Sequence, residues 1–345
     1  MVDQMKLVIV TDAWHPQVNG VVRTLERTRV ELVKLGHQVE IISPDMFFTV
    51  PLPTYPEIRV SITTTSAVAA KIESLDVEHI HIATEATLGH AAKRYCINKK
   101  RPFTTSYHTR FPEYVTARLP IPITWTYSYL RSFHNAGAGC LVATQSLQRE
   151  LAEQGFENLR MWSRGVDAKL YNPAKREDLN YPGPIQLYVG RVAVEKNIEA
   201  FLQTKVPGTK IVVGDGPSRH DLEKRYPEAV FLGKKMGEEL AQIYASADVF
   251  VFPSKTDTFG IVMLEALASG LPVAGYPVMG PVDVIGENTA IGALDDNLDL
   301  AIERALRCKR KACRDYAESC SWEATAQLFM DQIISSRAAV EQAAA

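Results

Sequence analysis

The sequence predicts an α/β chain built from two Rossmann-like domains, each a doubly wound parallel sheet, and three observations predict it. Short β-branched runs alternate with amphipathic stretches throughout. The alternation stops at a segment rich in Pro, Gly and charge and then starts afresh. The 345 residues are too many for one comfortable core and about right for two.

In chain order the first half offers KLVIVTD, HQVEIIS, HIHIA, PFTTSYH and GCLVAT as strands, each separated from the next by an irregular or helical segment. Residues 172–184, NPAKREDLNYPGP, read as a linker. IQLYVGR, KIVVGDG, AVFLG, DVFVFP and PVAGY follow as the strands of the second half. The expected division is therefore residues 1–170, then 171–320, with a closing amphipathic helix over 321–345 that packs back toward the first domain. In sheets wound this way ligands lie outside the carboxyl ends of the strands. The loops TDAWHPQVNG, SYHTRFPEY, VGRVAVEKN, VGDGP and FPSKTDTFG are the places to look, facing one another across a cleft.

Composition limits what the chain can be. Its 46% hydrophobic content supplies two buried cores, no apolar run is long enough to span a bilayer, and MVDQMKLVIVTD enters a strand without a cleavable signal. The expectation is a cytoplasmic protein. Cys96, Cys140, Cys308, Cys313 and Cys320 form no CxxC pair and read as reduced packing residues. The net charge of −2 hides a basic stretch, because residues 93–131 hold eight Lys or Arg against the single acid Glu113, interleaved with eight aromatics.

The strongest chemical signal is FPSKTDTFGIVMLEALASG. Thr258, Phe259 and Gly260 open a helix whose free N–H groups can hold a phosphate or a sugar oxygen. Glu265, among Val262, Met263, Leu264, Ala266 and Leu267, can accept hydrogen bonds from a ribose diol, and Asp257 can reach sugar hydroxyls. A solvated helix-face carboxylate and a turn aspartate are the plain alternatives, and the apolar neighbours of Glu265 weigh against them. In VGRVAVEKN, Arg191 and Lys196 are two cations beside a strand end, suited to a diphosphate.

At these residues the sequence resembles retaining glycosyltransferase family 4, of GT-B fold, whose members carry an acidic-x7-Glu motif in the second domain. The resemblance extends over nearly the full chain, is most specific from Ser246 to Gly286, and leans toward the family's lipid-directed and mannosyl-type branches. Here the first acid is Asp257 where most members have Glu. The resemblance implies that Asp257 contacts the donor sugar, Glu265 the nucleotide ribose, and Arg191 and Lys196 the diphosphate. It further implies that Gly214 and Gly216 of VGDGP border the nucleotide, with Phe231 and Leu232 near the base, and that Gly20 lets the backbone approach the donor phosphates. Asn19 stands where the family more often has Gly. His108 matches a family histidine near the donor sugar, Asp12 and Glu85 are further candidate cleft residues, and Arg164 is either a phosphate contact or a structural ion pair.

The implied reaction is transfer of a hexosyl or uronosyl unit from a nucleotide diphosphate sugar, UDP favoured, with retention and without a metal or cofactor. The implied acceptor is a membrane lipid such as diacylglycerol. GDP-mannose as donor, or a soluble sugar or polysaccharide as acceptor, is the alternative. The basic and aromatic stretch, with Lys99, Lys100, Arg101, Arg110, Arg118 and Arg131 beside Phe103, Phe111, Tyr114, Trp125, Tyr127 and Tyr129, fits peripheral association with the anionic inner face of a membrane. An apolar loop between Leu119 and Trp125 is part of that expectation. An NAD-dependent oxidoreductase is disfavoured by the incomplete glycine fingerprint, and a nucleic-acid partner by the slightly acidic whole.

Overall fold

The computed structural model of the chain describes residues 4–17, 19–51, 59–116 and 121–344. It divides into two compact units, residues 1–163 with 322–345, and residues 164–321. The division thus falls a few residues before the expected boundary at 170.

The first unit contains β1 (Lys6–Val10), α1 (Gly20–Lys34), β2 (Gln38–Ile42), β3 (Thr49–Pro51), β4 (Arg59–Ser61), α2 (Thr65–Leu75), β5 (His79–Ile82) and α3 (Thr87–Asn98). It continues with β6 (Phe103–Tyr107), α4 (Phe111–Thr116), α5 (Ile123–His134), β7 (Gly139–Val142), α6 (Gln145–Glu153) and β8 (Leu159–Met161). Its parallel sheet runs β2-β1-β5-β6-β7-β8, with β3 and β4 pairing apart as an antiparallel hairpin. The helices start where short polar side chains can cap them. Asn19 accepts from the amides of Val21 and Val22 at 3.0 Å, Thr64 from Ala67 at 3.2 Å, and Thr144 from Leu147 at 3.1 Å.

The second unit contains β9 (Ile185–Val189), α7 (Ile198–Leu202), β10 (Thr209–Val213), α8 (Arg219–Arg225), β11 (Val230–Gly233), α9 (Gly237–Ser246) and β12 (Val249–Phe252). Then come α10 (Ile261–Ala268), β13 (Val273–Gly275), α11 (Pro281–Val284), β14 (Gly292–Leu294), α12 (Leu298–Ala305) and α13 (Arg310–Glu318). Its sheet is again parallel, in the order β11-β10-β9-β12-β13-β14. The strand order reverses between β9 and β12 here and between β1 and β5 in the first unit. Those two switch points are where sheets of this kind open a crevice for ligands. The chain ends in α14 (Trp322–Ala344), which packs within the first unit and buries Ala326, Phe329, Met330 and Ile333 with Leu7, Ile9, Leu141 and Trp162.

The central strands are buried on both faces, which is why IQLYV and VFVF read as continuous apolar runs rather than alternations. The edge strands β8 (LRM) and β14 (GAL) escaped the sequence reading because each is three residues without a β-branched side chain. One expectation is corrected. Residues 172–184 are not a free linker but part of the second unit: Arg176 Nη2 lies 2.9 Å from Asp248 Oδ1, and the Glu177 amide donates to Ser246 Oγ at 2.9 Å. Proline, glycine and charge in that stretch report tight turns docked onto the sheet rather than slack chain.

Candidate active site

The loops at the second unit's switch point carry the strongest candidates. Lys196, at the end of a short 3-10 turn after β9, places Nζ 2.5 Å from Oδ1 of Asp257 in the loop after β12, with both side chains about 20% exposed. Two further bonds hold the loops together. Asn197 Nδ2 donates to the Pro253 carbonyl at 3.1 Å and Thr256 Oγ1 to the Glu195 carbonyl at 3.3 Å. Asn197 sits in the left-handed region at φ 52, a conformation that Asn tolerates better than most side chains. Arg191 shares the β9 loop, where its carbonyl accepts from Tyr188 Oη at 2.9 Å.

Thr258, Phe259 and Gly260 lie half-buried ahead of α10. Gly260 caps that helix at φ 83, and a Cβ there would come within 2.8 Å of the Phe252 ring. Only glycine turns the chain into α10 at this point. Glu265 is buried on the second turn, and its Oε2 accepts from the buried Tyr244 hydroxyl at 3.1 Å. The apolar setting read from sequence is therefore real, and the hydroxyl of Tyr244 on α9 offsets part of its cost. Phe231 and Leu232 are partly buried at the end of β11, one against each core of the unit.

The glycines of VGDGP have a structural duty the sequence did not reveal. A Cβ on Gly214 would lie 1.8 Å from the Gly190 carbonyl oxygen, and one on Gly216 would lie 2.4 Å from that of Val192. The turns after β9 and β10 run backbone against backbone, with the Gly190 amide donating to Val213 and the Val192 amide to Asp215, both at 2.9 Å. The missing side chains admit a neighbouring loop.

In the first unit several candidates are engaged by the fold itself. Asp12, expected in the cleft, caps α3: its carboxylate accepts from the Leu88 amide at 2.9 Å, the Gly89 amide at 3.3 Å, Thr84 Oγ1 at 2.9 Å and Thr87 Oγ1 at 3.2 Å. Burial raises its pKa, against the opposing pull of those hydrogen bonds. Asn19 occupies the first amides of α1, directly beside the exposed Gly20. Glu85 Oε1 lies 3.0 Å from Nε2 of the buried His134, whose Nδ1 meets Thr105 Oγ1 at 2.9 Å. Burial alone would lower the His134 pKa, but Cys140 and Glu85 outweigh it and hold it up at about 10. Arg164 is a buried residue of the second unit, and desolvation lowers it to about 9.

His108 follows β6, with Nε2 2.8 Å from Ser106 Oγ. Ser106 belongs to a row of buried polar side chains on one face of β5 and β6 that the sequence reading missed. HIHI alternates polar with apolar at period two, and FTTSYH repeats a polar residue at every second position in Thr104, Ser106 and His108, and that was the available signal.

The basic and aromatic stretch divides as strands and helices require. Phe103, Tyr107 and Tyr127 are core residues, while Phe111, Trp125 and Tyr129 are exposed, Trp125 by 70%. Trp125 stands on α5 and not in a loop, because the helix begins at Ile123. Arg118, Leu119 and the side chain of Tyr114 lie outside the described residues. His90, Lys93, Trp125, Ser128, Tyr129 and Ser132 line a groove between α3 and α5.

With the geometry in hand, comparison with known proteins decides the family. Residues 18–170 match the sequence model described as Glycosyltransferase Family 4, and residues 183–307 the one described as Glycosyl transferases group 1. The chain belongs to glycosyltransferase family 4. It is 30% identical over 312 residues to a GDP-mannose-dependent alpha-mannosyltransferase of Mycobacterium tuberculosis, covering 81% of each chain. It is 26% identical over 313 residues to an alpha-monoglucosyldiacylglycerol synthase of Streptococcus pneumoniae, covering 79% of this chain and 71% of that one. The solved sucrose-phosphate synthase of Thermosynechococcus elongatus superposes with a TM-score of 0.76 over 98% of this chain and 100% of that one, at 20% identity, and has the same GT-B fold.

As a family 4 glycosyltransferase the chain takes a sugar from an activated donor. Among the described residues no helix is long and apolar enough to cross a membrane, and no three His, Cys, Asp or Glu are grouped to hold a metal ion.

Proposed function

We propose that this family 4 glycosyltransferase moves a hexosyl or uronosyl unit from a nucleotide diphosphate sugar to a hydroxyl of a membrane lipid, with retention and with no metal in the chemical step. The bond from the anomeric carbon to the phosphate oxygen breaks, the acceptor oxygen bonds to the same face, and the acceptor proton leaves on the departing diphosphate. The observation that carries the transfer is the Lys196–Asp257 pair beside Arg191 at the second unit's switch point. In this reading Arg191 and Lys196 take up charge developing on the leaving phosphate, Asp257 orients sugar hydroxyls and Glu265 holds the ribose. The family resemblance assigns His108 to the donor sugar and Gly20 to the donor phosphates. Fixed cations acting this way stand where a metal would otherwise stabilise the leaving group.

A lipid acceptor is supported by the outer face of α3 and α5. Neither helix carries an acid, and together they expose Ile97, Ile123, Trp125 and Tyr129 beside Arg94 and Lys100. Aromatic and apolar side chains among cations are the chemistry that lets a protein rest at the headgroups of an anionic bilayer. The mannosyltransferase relative favours GDP-mannose as a second reading of the donor, against the UDP-sugar expected from the sequence.

Purified protein incubated with UDP-glucose, UDP-glucuronate and GDP-mannose, with anionic liposomes containing diacylglycerol and excess EDTA, tests all of this. A glycolipid identified by mass, with retained anomeric configuration, is expected. Product only in the presence of added magnesium or manganese overturns metal independence. Efficient glycosylation of a soluble sugar, without liposome binding at any salt, overturns the lipid acceptor.

A further inference from the structure

Two arginines one turn apart on α13 close the far end of the helix that carries Glu265. Arg310 and Arg314 stand at i and i+4, on one face of α13. Arg310 Nη1 donates to the Ala247 carbonyl at 2.8 Å, and its Nη2 donates to the Ser269 carbonyl at 3.1 Å and to the Ala245 carbonyl. Ala245 and Ala247 lie at the end of α9 and Ser269 at the end of α10, so one guanidinium fork bridges two helix ends. Arg314 Nη1 donates to the Ala268 carbonyl at 2.8 Å and to the Tyr171 carbonyl at 2.7 Å, while its Nε is held by Glu318 Oε1 at 2.7 Å.

The carbonyls of a helix's last turn have no intrahelical amide to meet. In α10 the amides of Ser269, Gly270 and Leu271 fold back onto the carbonyls of Glu265, Leu267 and Ala266 at 3.1, 2.9 and 2.8 Å, and the carbonyls of Ala268 and Ser269 go to the two arginines. A cation there also meets the negative ends of both helix dipoles. The segments joined in this way are those that build the surroundings of Glu265. Tyr244 on α9 directly precedes Ala245, and its hydroxyl donates to Glu265 Oε2 at 3.1 Å. The ring of Tyr171 stands edge to face against that of Tyr244, with centroids 5.6 Å apart. A hydrogen bond of 3.1 Å weakens as soon as α9 slides along α10, and the Arg310 fork opposes that slide.

From these contacts we propose that Arg310 and Arg314 are positioning residues of the nucleotide site, fixing α10 against α9 and the Tyr171 turn so that Tyr244 keeps the Glu265 carboxylate aimed at the ribose diol. The role rests on the ribose assignment of Glu265 in the proposed function.

Calorimetry on the full chain with UDP, GDP and their 2′,3′-dideoxy analogues reads the ribose contact as the ratio of affinities for the diol and dideoxy forms, which a loss of stability alone does not move. Wild type is expected to favour the diol of the nucleotide it binds by about tenfold, one net hydrogen bond's worth, and Glu265→Gln to lower that ratio. Arg310→Met and Arg314→Met are each expected to reduce it to about threefold or less, with affinity for the dideoxy form within about twofold of wild type. Arg310→Lys keeps the charge but lacks the fork, so it should lower the ratio too, and it carries the test if the methionine variant does not fold. Lys311→Met, on the same helix with a side chain 84% exposed, should leave the ratio unchanged. A wild-type ratio at either arginine position, while Glu265→Gln lowers it, removes that arginine from the role and leaves the ribose assignment standing. A wild-type chain that binds neither nucleotide, or that does not distinguish diol from dideoxy, overturns the ribose assignment and the positioning role with it.

Discussion

Lys196 Nζ lies 2.5 Å from Asp257 Oδ1, across 61 positions of sequence, at the point where the strand order of the second unit reverses. The pair joins a cation assigned to the leaving diphosphate with an acid assigned to the sugar, so in the donor-free protein each satisfies the other. On the proposed function, binding a donor exchanges that contact for contacts with phosphate and hydroxyl. The two residues are then coupled, and Lys196→Ala with Asp257→Ala should lose less in kcat/KM together than the sum of the single losses, by about 0.5–3 kcal/mol. Strict additivity in a double-mutant cycle removes the coupling.

Loss of charge stabilisation at the leaving group should appear in turnover. Arg191→Ala and Lys196→Ala are each expected to lower kcat by about 10²–10³, as removal of one preorganised donor does, with circular dichroism and Tm close to wild type. Near-wild-type kcat in both variants would transfer the diphosphate role elsewhere.

Glu265 makes a different case because it is buried and bonded to Tyr244. Glu265→Gln is expected to weaken nucleoside diphosphate binding measured by calorimetry, since a carboxylate accepts two hydrogen bonds from a ribose diol and an amide oxygen only some of that. Tyr244→Phe leaves the carboxylate and removes the hydroxyl that orients it, so a smaller loss of affinity should follow. Unchanged affinity in Glu265→Gln would sink the ribose assignment.

The sequence made both sheets legible because most of the central parallel strands are short apolar runs between turn residues, and it marked Asp257, Arg191 and Lys196, with Glu265 on the helix that follows, because motif chemistry is local. What it hid were relationships across the sheet. Nothing local says that Asp12 spends its carboxylate on the amides of Leu88 and Gly89, or that Glu85 faces His134. NPAKREDLNYPGP resembled a linker because docked turns and slack chain draw on the same residues, and only the contacts to Ser246 and Asp248 distinguish them.

Gly214 is expected beside the nucleotide, and its geometry makes a stability prediction as well. A Cβ at 1.8 Å from the Gly190 carbonyl oxygen can be accommodated only by separating the turns after β9 and β10. Gly214→Ala should cost at least about 2 kcal/mol and lower Tm by roughly 4–8 °C for a unit of this size. Gly237→Ala is the control, because its φ of 56 is strained for alanine but nothing lies within 4 Å of the added carbon. Its cost should stay near 1 kcal/mol. Equal losses in the two variants would mean that backbone conformation, not the close approach, sets the requirement at Gly214.

The first unit carries histidines shifted in opposite directions, and they predict a stability maximum near neutrality. His134 is held at about 10 against an unfolded value of 6.5, so between those values the folded chain binds a proton that the unfolded chain has lost. Stability from that site is complete below pH 6.5 and declines as pH rises toward 10. His79 is depressed to about 3 and His81 is also depressed, so below pH 6.5 it is the unfolded chain that gains protons, and stability falls again as pH drops. Glu85 helps to raise His134 and its loss separates the two limbs. Glu85→Gln should flatten the decline of Tm between pH 7 and 9 while leaving the fall from pH 6.5 to 5 in place. An alkaline slope identical in wild type and Glu85→Gln would show that Glu85 does not hold the His134 proton.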